Sequence, residues 1–291
     1  MDDAAAADRF TLMLDTVRKD IENAVQCSAF AHLFAGEKAP LIGGKMLRAK
    51  LIITVGMACE TAPARLIAAA SAVEMLHAAS LLHDDVVDGG RLRRGAPALW
   101  ITHGPKLAVL IGDMLLSLAF QKIADTQPAS VPVLAQTLAD MCQAEIQQEL
   151  ALQANTGTWE DCLKVAAGKT GSLFAFAAGC AAGDTPPLAQ QLSAAGNQLG
   201  IAYQLADDLL DSKTEYAEAG KTLGTDAQSQ KLTAARFAQA GTYDPARAIE
   251  EILAEASDLI KCWPVVQSAW QAYIETNLRP LLRAYTAAPS A

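Results

Sequence analysis

Apolar residues recur every three or four positions along most of this chain. Phe10, Leu14, Val17, Ile21 and Val25 form one stripe with charged residues between them, the pattern of an amphipathic helix. After Gly43-Gly44 the stretch KMLRAKLIITVGMAC keeps the helical period, with Lys45 and Arg48 three apart on one expected face. Pro63 opens PARLIAAASAVEMLHAASLLHDDVVD, apolar on most faces, which predicts a central helix. Pro105 and Pro128 introduce two more, proline being well suited to a first helical turn. Thr158-Trp159-Glu160-Asp161 predicts a capped helix start ahead of CLKVAAGKTGSLFAFAAGCAAG. PPLAQQLSAAGNQLGIAYQLADDLLDS predicts another long apolar helix. The polar stretch KTEYAEAGKTLGTDAQSQK then breaks all periodicity and predicts a loop or lid, and two or three helices follow it. Alanine is abundant and runs of Val, Ile and Thr are few, so no extended sheet is expected. No composition shift marks a boundary. The expectation is one all-α domain over residues 1–291, a bundle of roughly ten or more helices.

Charge narrows the function classes. The formal net charge is −9, with 23 Lys and Arg against 32 Asp and Glu, and no basic run gives a footprint for nucleic acid. An anionic substrate would therefore need a locally concentrated basic site. The six cysteines lack a Cys-x-x-Cys pair, which reads as reduced thiols in a cytoplasmic protein. MDDAAAADRF is acidic and has no signal-peptide pattern. No uninterrupted apolar run approaches the roughly 20 residues of a membrane span, so a protein that does not cross a membrane is expected.

Both long apolar segments end in acids. Asp84, Asp85 and Asp88 form Asp-Asp-x-x-Asp, and Asp207, Asp208 and Asp211 repeat it. Carboxylates four apart repel on a helix face, and the negative end of the helix dipole disfavours them further. Left unpaired near a core, each would cost several kcal/mol. Facing one cavity, they can bind hard divalent cations. An all-oxygen set with no Cys or His cluster indicates Mg2+, which usually completes its shell with waters and substrate phosphates. Basic groups suited to a phosphate are present. Lys45 and Arg48 follow a Gly-Gly, Arg91, Arg93 and Arg94 sit in the Gly-flanked GGRLRRG, and His77 lies two helical turns before Asp84.

Taken together these motifs make the chain resemble the trans-isoprenyl diphosphate synthases, the polyprenyl synthetase family. GGKMLR, LLHDDVVDGGRLRRG, GKTGSLF, YQLADDLLD and GKTLGTDAQSQKLT follow the family's motifs in order over nearly the whole chain. The resemblance implies the isoprenoid synthase fold, helices around a central cavity. It implies three Mg2+ ions, held by Asp84, Asp85 and Asp88 and by Asp207 with Asp208 and Asp211 nearby. It places Arg93, Lys169, Lys221 and Lys231 at an allylic diphosphate. Lys45, Arg48, His77 and Arg94 would hold isopentenyl diphosphate, and Thr170 and Gln204 would face the developing allylic cation. A homodimer is also implied. The chain departs from the family pattern at Met46, Ala49, Gln230 and Ala234-Ala235, none of which is an expected metal ligand.

On the same resemblance, product length is read from the helix ahead of Asp84. Ala79 and Ser80 form the expected level nearest the metals, where farnesyl-type members carry an aromatic floor. Leu76 lies a turn deeper, and Met114, Leu115 and Leu118 are expected to approach from the next helix. A product of at least twenty carbons is expected. Three rival readings remain: a farnesyl diphosphate synthase, a class I terpene cyclase, and a modulatory subunit of a heteromeric synthase.

Overall fold

The computed structural model describes residues 3–34, 44–153, 157–211, 232–241 and 243–281. The structure is helical almost throughout. The helices are α1 Asp3–Gln26, α2 Leu47–Ala58, α3 Pro63–Val87, α4 Leu99–His103, α5 Pro105–Thr126, α6 Val131–Gln153 and α7 Trp159–Ala166. They continue with α8 Ser172–Ala181, α9 Pro186–Asp211, α10 Ala234–Gln239, α11 Pro245–Asp258 and α12 Pro264–Tyr273. One antiparallel hairpin interrupts them, β1 Leu92–Arg93 paired with β2 Ala96–Pro97.

The amphipathic stripe of α1 lies inward as its period requires: Leu14, Val17, Ile21 and Val25 are buried. Central α3 is buried from Leu66 to Asp85 on most faces and packs along α1, α2, α5 and α8. Small side chains at Ala68, Ala69, Ala70 and Ala72 permit that approach. Where α2 crosses α3, a side chain on Gly56 would meet Leu66 at 2.2 Å. The predicted start at Thr158 is a complete capping box. Thr158 Oγ1 accepts from the Asp161 N–H, and the Asp161 carboxylate accepts from the Thr158 N–H. Between α7 and α8 the chain widens into one π-turn, Ala167–Gly171, which contains Lys169 and Thr170. Such widened turns are frequent at functional sites. Helix α9 presses on this turn so closely that a side chain at Gly200 would meet Gly171 Cα at 2.6 Å.

The structure corrects three local expectations. GGRLRRG is not a simple loop: Leu92 pairs with Pro97 and Arg93 with Ala96 across a turn in which Arg94 and Gly95 have φ of 53° and 78°. Two consecutive positive φ values are what a tight two-residue hairpin turn demands. Lys45 does not share a helix face with Arg48. Met46, at φ 47°, caps α2 in the left-handed conformation and leaves Lys45 outside the helix. Finally, α3 and α5 both prove long and apolar enough to cross a membrane by length and composition. Helix α3 is instead the core helix. Helix α5 has only 33% of its most apolar window buried and leaves Val109, Leu110 and Met114 exposed.

Candidate active site

A cavity of about 620 Å³ opens where α3 and α9 end, walled by α5, α6, the π-turn and the hairpin. Asp84, Asp85 and Asp88 line it from α3, and Asp207 from α9. The two acidic motifs therefore meet. Their members differ in what they do. Asp85 is only 3% exposed and forms a 2.5 Å ion pair with Arg93 Nη2 from β1. Asp208, also buried, does not line the cavity. Its Oδ2 accepts from the Ala234 N–H at 2.9 Å and its Oδ1 from Gln204 Nε2 at 2.8 Å. Asp211 closes α9, and its side chain lies outside what is described. Asp84, Asp88 and Asp207 thus face the cavity together, with Glu145 and Glu149 of α6 in the same lining.

Lys169 reaches into this acidic mouth from the π-turn and pairs with Glu145 of α6. Burial alone would lower its pKa, but Asp84, Glu145 and Asp88 outweigh that and hold it above the ordinary value. The ammonium is thus permanently charged. Next to it, Thr170 Oγ1 donates to Gln204 Oε1 at 2.5 Å, and Gln204 in turn donates to Asp208. This chain fixes the amide orientation and ties the cavity wall to the start of α10.

Arg48 and His77 line the same cavity, whereas Arg94 is exposed and is not among the lining residues. Arg48 is buried, lines the cavity and stacks its guanidinium 4.6 Å from the centre of the Phe174 ring. Its Nε has no hydrogen-bond partner among the described residues. His77 lines the same wall. Burial first, then Arg48, Arg94 and Arg93, push its pKa well below 6.5, so the imidazole is neutral near pH 7. Arg94 folds back against Gly44, where a side chain would meet its Nη2 at 3.2 Å. Gly44 itself has φ +91°, so the loop before α2 and the hairpin fit together only with glycine there. Lys45 is exposed and is not among the lining residues. Lys221 and Lys231 lie outside the described residues.

Beyond the charged mouth the wall turns apolar. Leu76 and Ser80 of α3 line it, whereas Ala79 points into the core and does not. From α5 the lining residue is Leu116. Leu115 is buried in the core, Met114 is exposed, and Leu118 packs against the core. Helix α5 meets α3 closely at Gly112, where a side chain would meet the His83 ring at 2.2 Å. Leu138, Met141, Leu173 and Tyr203 are also part of the lining. Sequence reading missed the whole contribution of α6. It also missed Gln148, whose buried Oε1 has no partner among the described residues. The only signal was a glutamine on the buried stripe of QAEIQQEL.

The carboxylate set fits hard divalent cations. All its ligands are oxygens, and they come from two helix ends facing one cavity. Among the described residues no three of His, Cys, Asp or Glu are close enough to enclose an ion by themselves.

Comparison with known proteins gives a consistent picture. The sequence pattern of the family described as polyprenyl synthetase matches residues 35–264. A nonaprenyl diphosphate synthase of Mycobacterium tuberculosis is 32% identical over 228 residues, 77% of this chain and 66% of that protein. A (2E,6E)-farnesyl diphosphate synthase of the same species is 32% identical over 197 residues, 65% of this chain and 55% of that protein. The chain thus matches between about half and two thirds of the length of these relatives. Among solved structures, a polyprenyl synthase from Caulobacter crescentus complexed with calcium and isoprenyl diphosphate superposes with a TM-score of 0.74. It is 26% identical, and the match covers 97% of this chain and 90% of that one.

Proposed function

The chain belongs to the polyprenyl synthetase family, and from that premise we propose that it is a Mg2+-dependent trans-prenyltransferase. It condenses isopentenyl diphosphate with an allylic diphosphate and releases a trans-polyprenyl diphosphate of at least twenty carbons. One observation carries the reading: a single cavity joins two acidic helix ends and a cationic wall to an apolar wall along α3.

Asp84, Asp88 and Asp207 would hold the divalent cations beside the allylic diphosphate. Bound there, the cations would supply Lewis-acid stabilisation to a departing diphosphate. Lys169 adds a fixed positive charge beside the same leaving group, and Arg93, already clamped to Asp85, adds another. Arg48, neutral His77 and Arg94 hold the diphosphate of isopentenyl diphosphate. Holding both substrates replaces a bimolecular encounter with an oriented one. As the allylic C–O bond ionises, the Thr170 hydroxyl and the Gln204 amide oxygen face the developing cation. The isopentenyl double bond then attacks that carbon, and its proton leaves to the released diphosphate. Leu76, Leu116, Leu138 and Met141 exclude water and accept the growing chain.

No aromatic side chain stands at Ala79 or Ser80, which supports elongation past fifteen carbons. The named relatives run from farnesyl to nonaprenyl diphosphate synthases, so their names do not choose a length. The exposed apolar face of α5, with Ile146 and Leu150 of α6, supports a homodimer in which a second copy covers it. A cytoplasmic location accords with the scattered thiols.

The test is incubation of the purified chain with isopentenyl diphosphate, Mg2+ and allylic starters of increasing length, with products resolved by size. Products of twenty carbons or more support the reading. Arrest at fifteen carbons favours a farnesyl synthase. No product from the chain alone favours a modulatory subunit.

A further inference from the structure

The cationic wall depends on the first turn of α2, and that turn begins without an ordinary cap. Met46 sits at the N-cap with φ 47° and ψ 46°, and no side chain at the N-cap serves the orphan amides. The Lys50 N–H bonds to Met46 O at 2.9 Å, as the first full helical bond. One amide ahead of it, Ala49 N–H, occupies the third helical position, the one an N-cap side chain usually satisfies. Its partner comes instead from another helix. Glu74 of α3, 25 residues away, accepts from Ala49 N at 3.0 Å. The same turn is tied once more from outside, where the buried Tyr273 hydroxyl donates to Leu47 O at 3.0 Å.

Glu74 has a second relationship to this wall. Its carboxylate is the principal attraction offsetting the cost of burying Arg48, and it also attracts Arg94. Burial raises the pKa of Glu74, while the Ala49 N–H, Arg48, Arg94 and Lys50 oppose that rise. Glu74 is not among the cavity-lining residues, although Arg48 and His77 are. Bonded to Ala49, the neighbour of Arg48, its carboxylate stands beside the cationic wall without lining the cavity. A buried guanidinium such as that of Arg48 would be costly with no counter-charge.

We propose that Glu74 is a positioning residue of this site. It caps α2 from α3 and so holds Arg48, which lies in the turn it caps, aimed for the diphosphate of isopentenyl diphosphate. The inference relies on the prenyltransferase reading only for the identity of that anion. Two roles combine in one carboxylate, and they can be separated. Glutamine can still accept from Ala49 N but carries no charge, whereas alanine removes both functions.

The experiment compares wild type, Glu74→Gln and Glu74→Ala in three readouts. These are the Michaelis constants for each substrate, the affinity for inorganic pyrophosphate by calorimetry, and amide exchange at Ala49. Glu74→Gln should raise the constant for isopentenyl diphosphate by about tenfold and leave that for the allylic partner and kcat within about twofold, with Ala49 still protected. Glu74→Ala should raise the same constant at least as far and speed exchange at Ala49 by roughly tenfold or more. Wild-type constants in Glu74→Gln would overturn the charge role, and unchanged Ala49 exchange in a folded Glu74→Ala would overturn the cap. An equal rise in both substrates' constants would overturn the assignment to one diphosphate. If Glu74→Ala does not fold, Glu74→Gln alone decides the charge role, and Glu74→Asp, too short to reach Ala49, decides the cap by the same exchange measurement. If wild type turns over neither substrate, the prenyltransferase reading fails, and pyrophosphate affinity with Ala49 exchange still decides the role of Glu74.

Discussion

At the residue scale, neighbouring side chains of one type do different work because their partners differ. Arg93 is locked to a carboxylate that is 3% exposed, whereas Arg94 turns at φ 53° toward Gly44 and the cationic wall. Arg93→Ala strands a buried charge, a loss that typically costs about 3–5 kcal/mol. It should lower the thermal midpoint by several degrees and weaken allylic substrate binding. Arg94→Ala should keep its thermal midpoint and raise mainly the Michaelis constant for isopentenyl diphosphate. Thermal melts with steady-state kinetics check both, and indistinguishable profiles would contradict the division. His77 gives a pH signature. Its folded pKa lies well below 6.5, so the folded state resists a proton that the unfolded chain accepts. The stability this contributes is complete above about pH 6.5 and is lost as pH falls below it. Wild type should therefore lose stability between pH 7 and 5 more steeply than His77→Gln, measured by chemical denaturation across that range. Parallel slopes would contradict a buried neutral imidazole.

At the scale of elements, the helices were legible and their rotations were not. The Thr158 cap, the Pro63 and Pro105 starts and the acidic ends of α3 and α9 all follow from residue type and period, and the structure places them there. Lys45 was misplaced because the left-handed turn at Met46 is a backbone state that methionine does not announce. The hairpin was missed because two-residue strands with mostly exposed side chains show no alternation. The close meeting of α5 and α3 at Gly112, against the His83 ring, is a tertiary fit with no periodic signal. On the proposed function, chain length would be set by Ser80 and Leu76 of α3, with Leu116 and Met141 in the same lining. Ser80→Phe should cut the main product to fifteen carbons by filling the level nearest the acids. Leu76→Ala or Met141→Ala should lengthen it by one or more isoprene units. Chromatography of the dephosphorylated products checks this. No change in the Ser80→Phe product would place the growing chain elsewhere.

At the scale of the whole molecule, charge and surface are distributed unevenly. A chain of net charge −9 gathers Arg48, Arg93 and Lys169 around one cavity, and so offers an anion a local site without a basic exterior. Six exposed large apolar residues lie on α5 and α6, which predicts a mass near twice 30.6 kDa by light scattering. Leu110→Glu on the same face should shift that mass toward one chain. A monomeric wild type at micromolar concentration would contradict the covered face. The central claim is that both acidic helix ends act together on one diphosphate. Its most direct test is incorporation of labelled isopentenyl diphosphate into prenyl product by purified wild type, Asp84→Ala and Asp207→Ala, each with Mg2+ and farnesyl diphosphate. Wild type should incorporate label, and each variant should lose incorporation by roughly three orders of magnitude or more while keeping its helical circular dichroism. Near-normal incorporation by either variant would contradict the account.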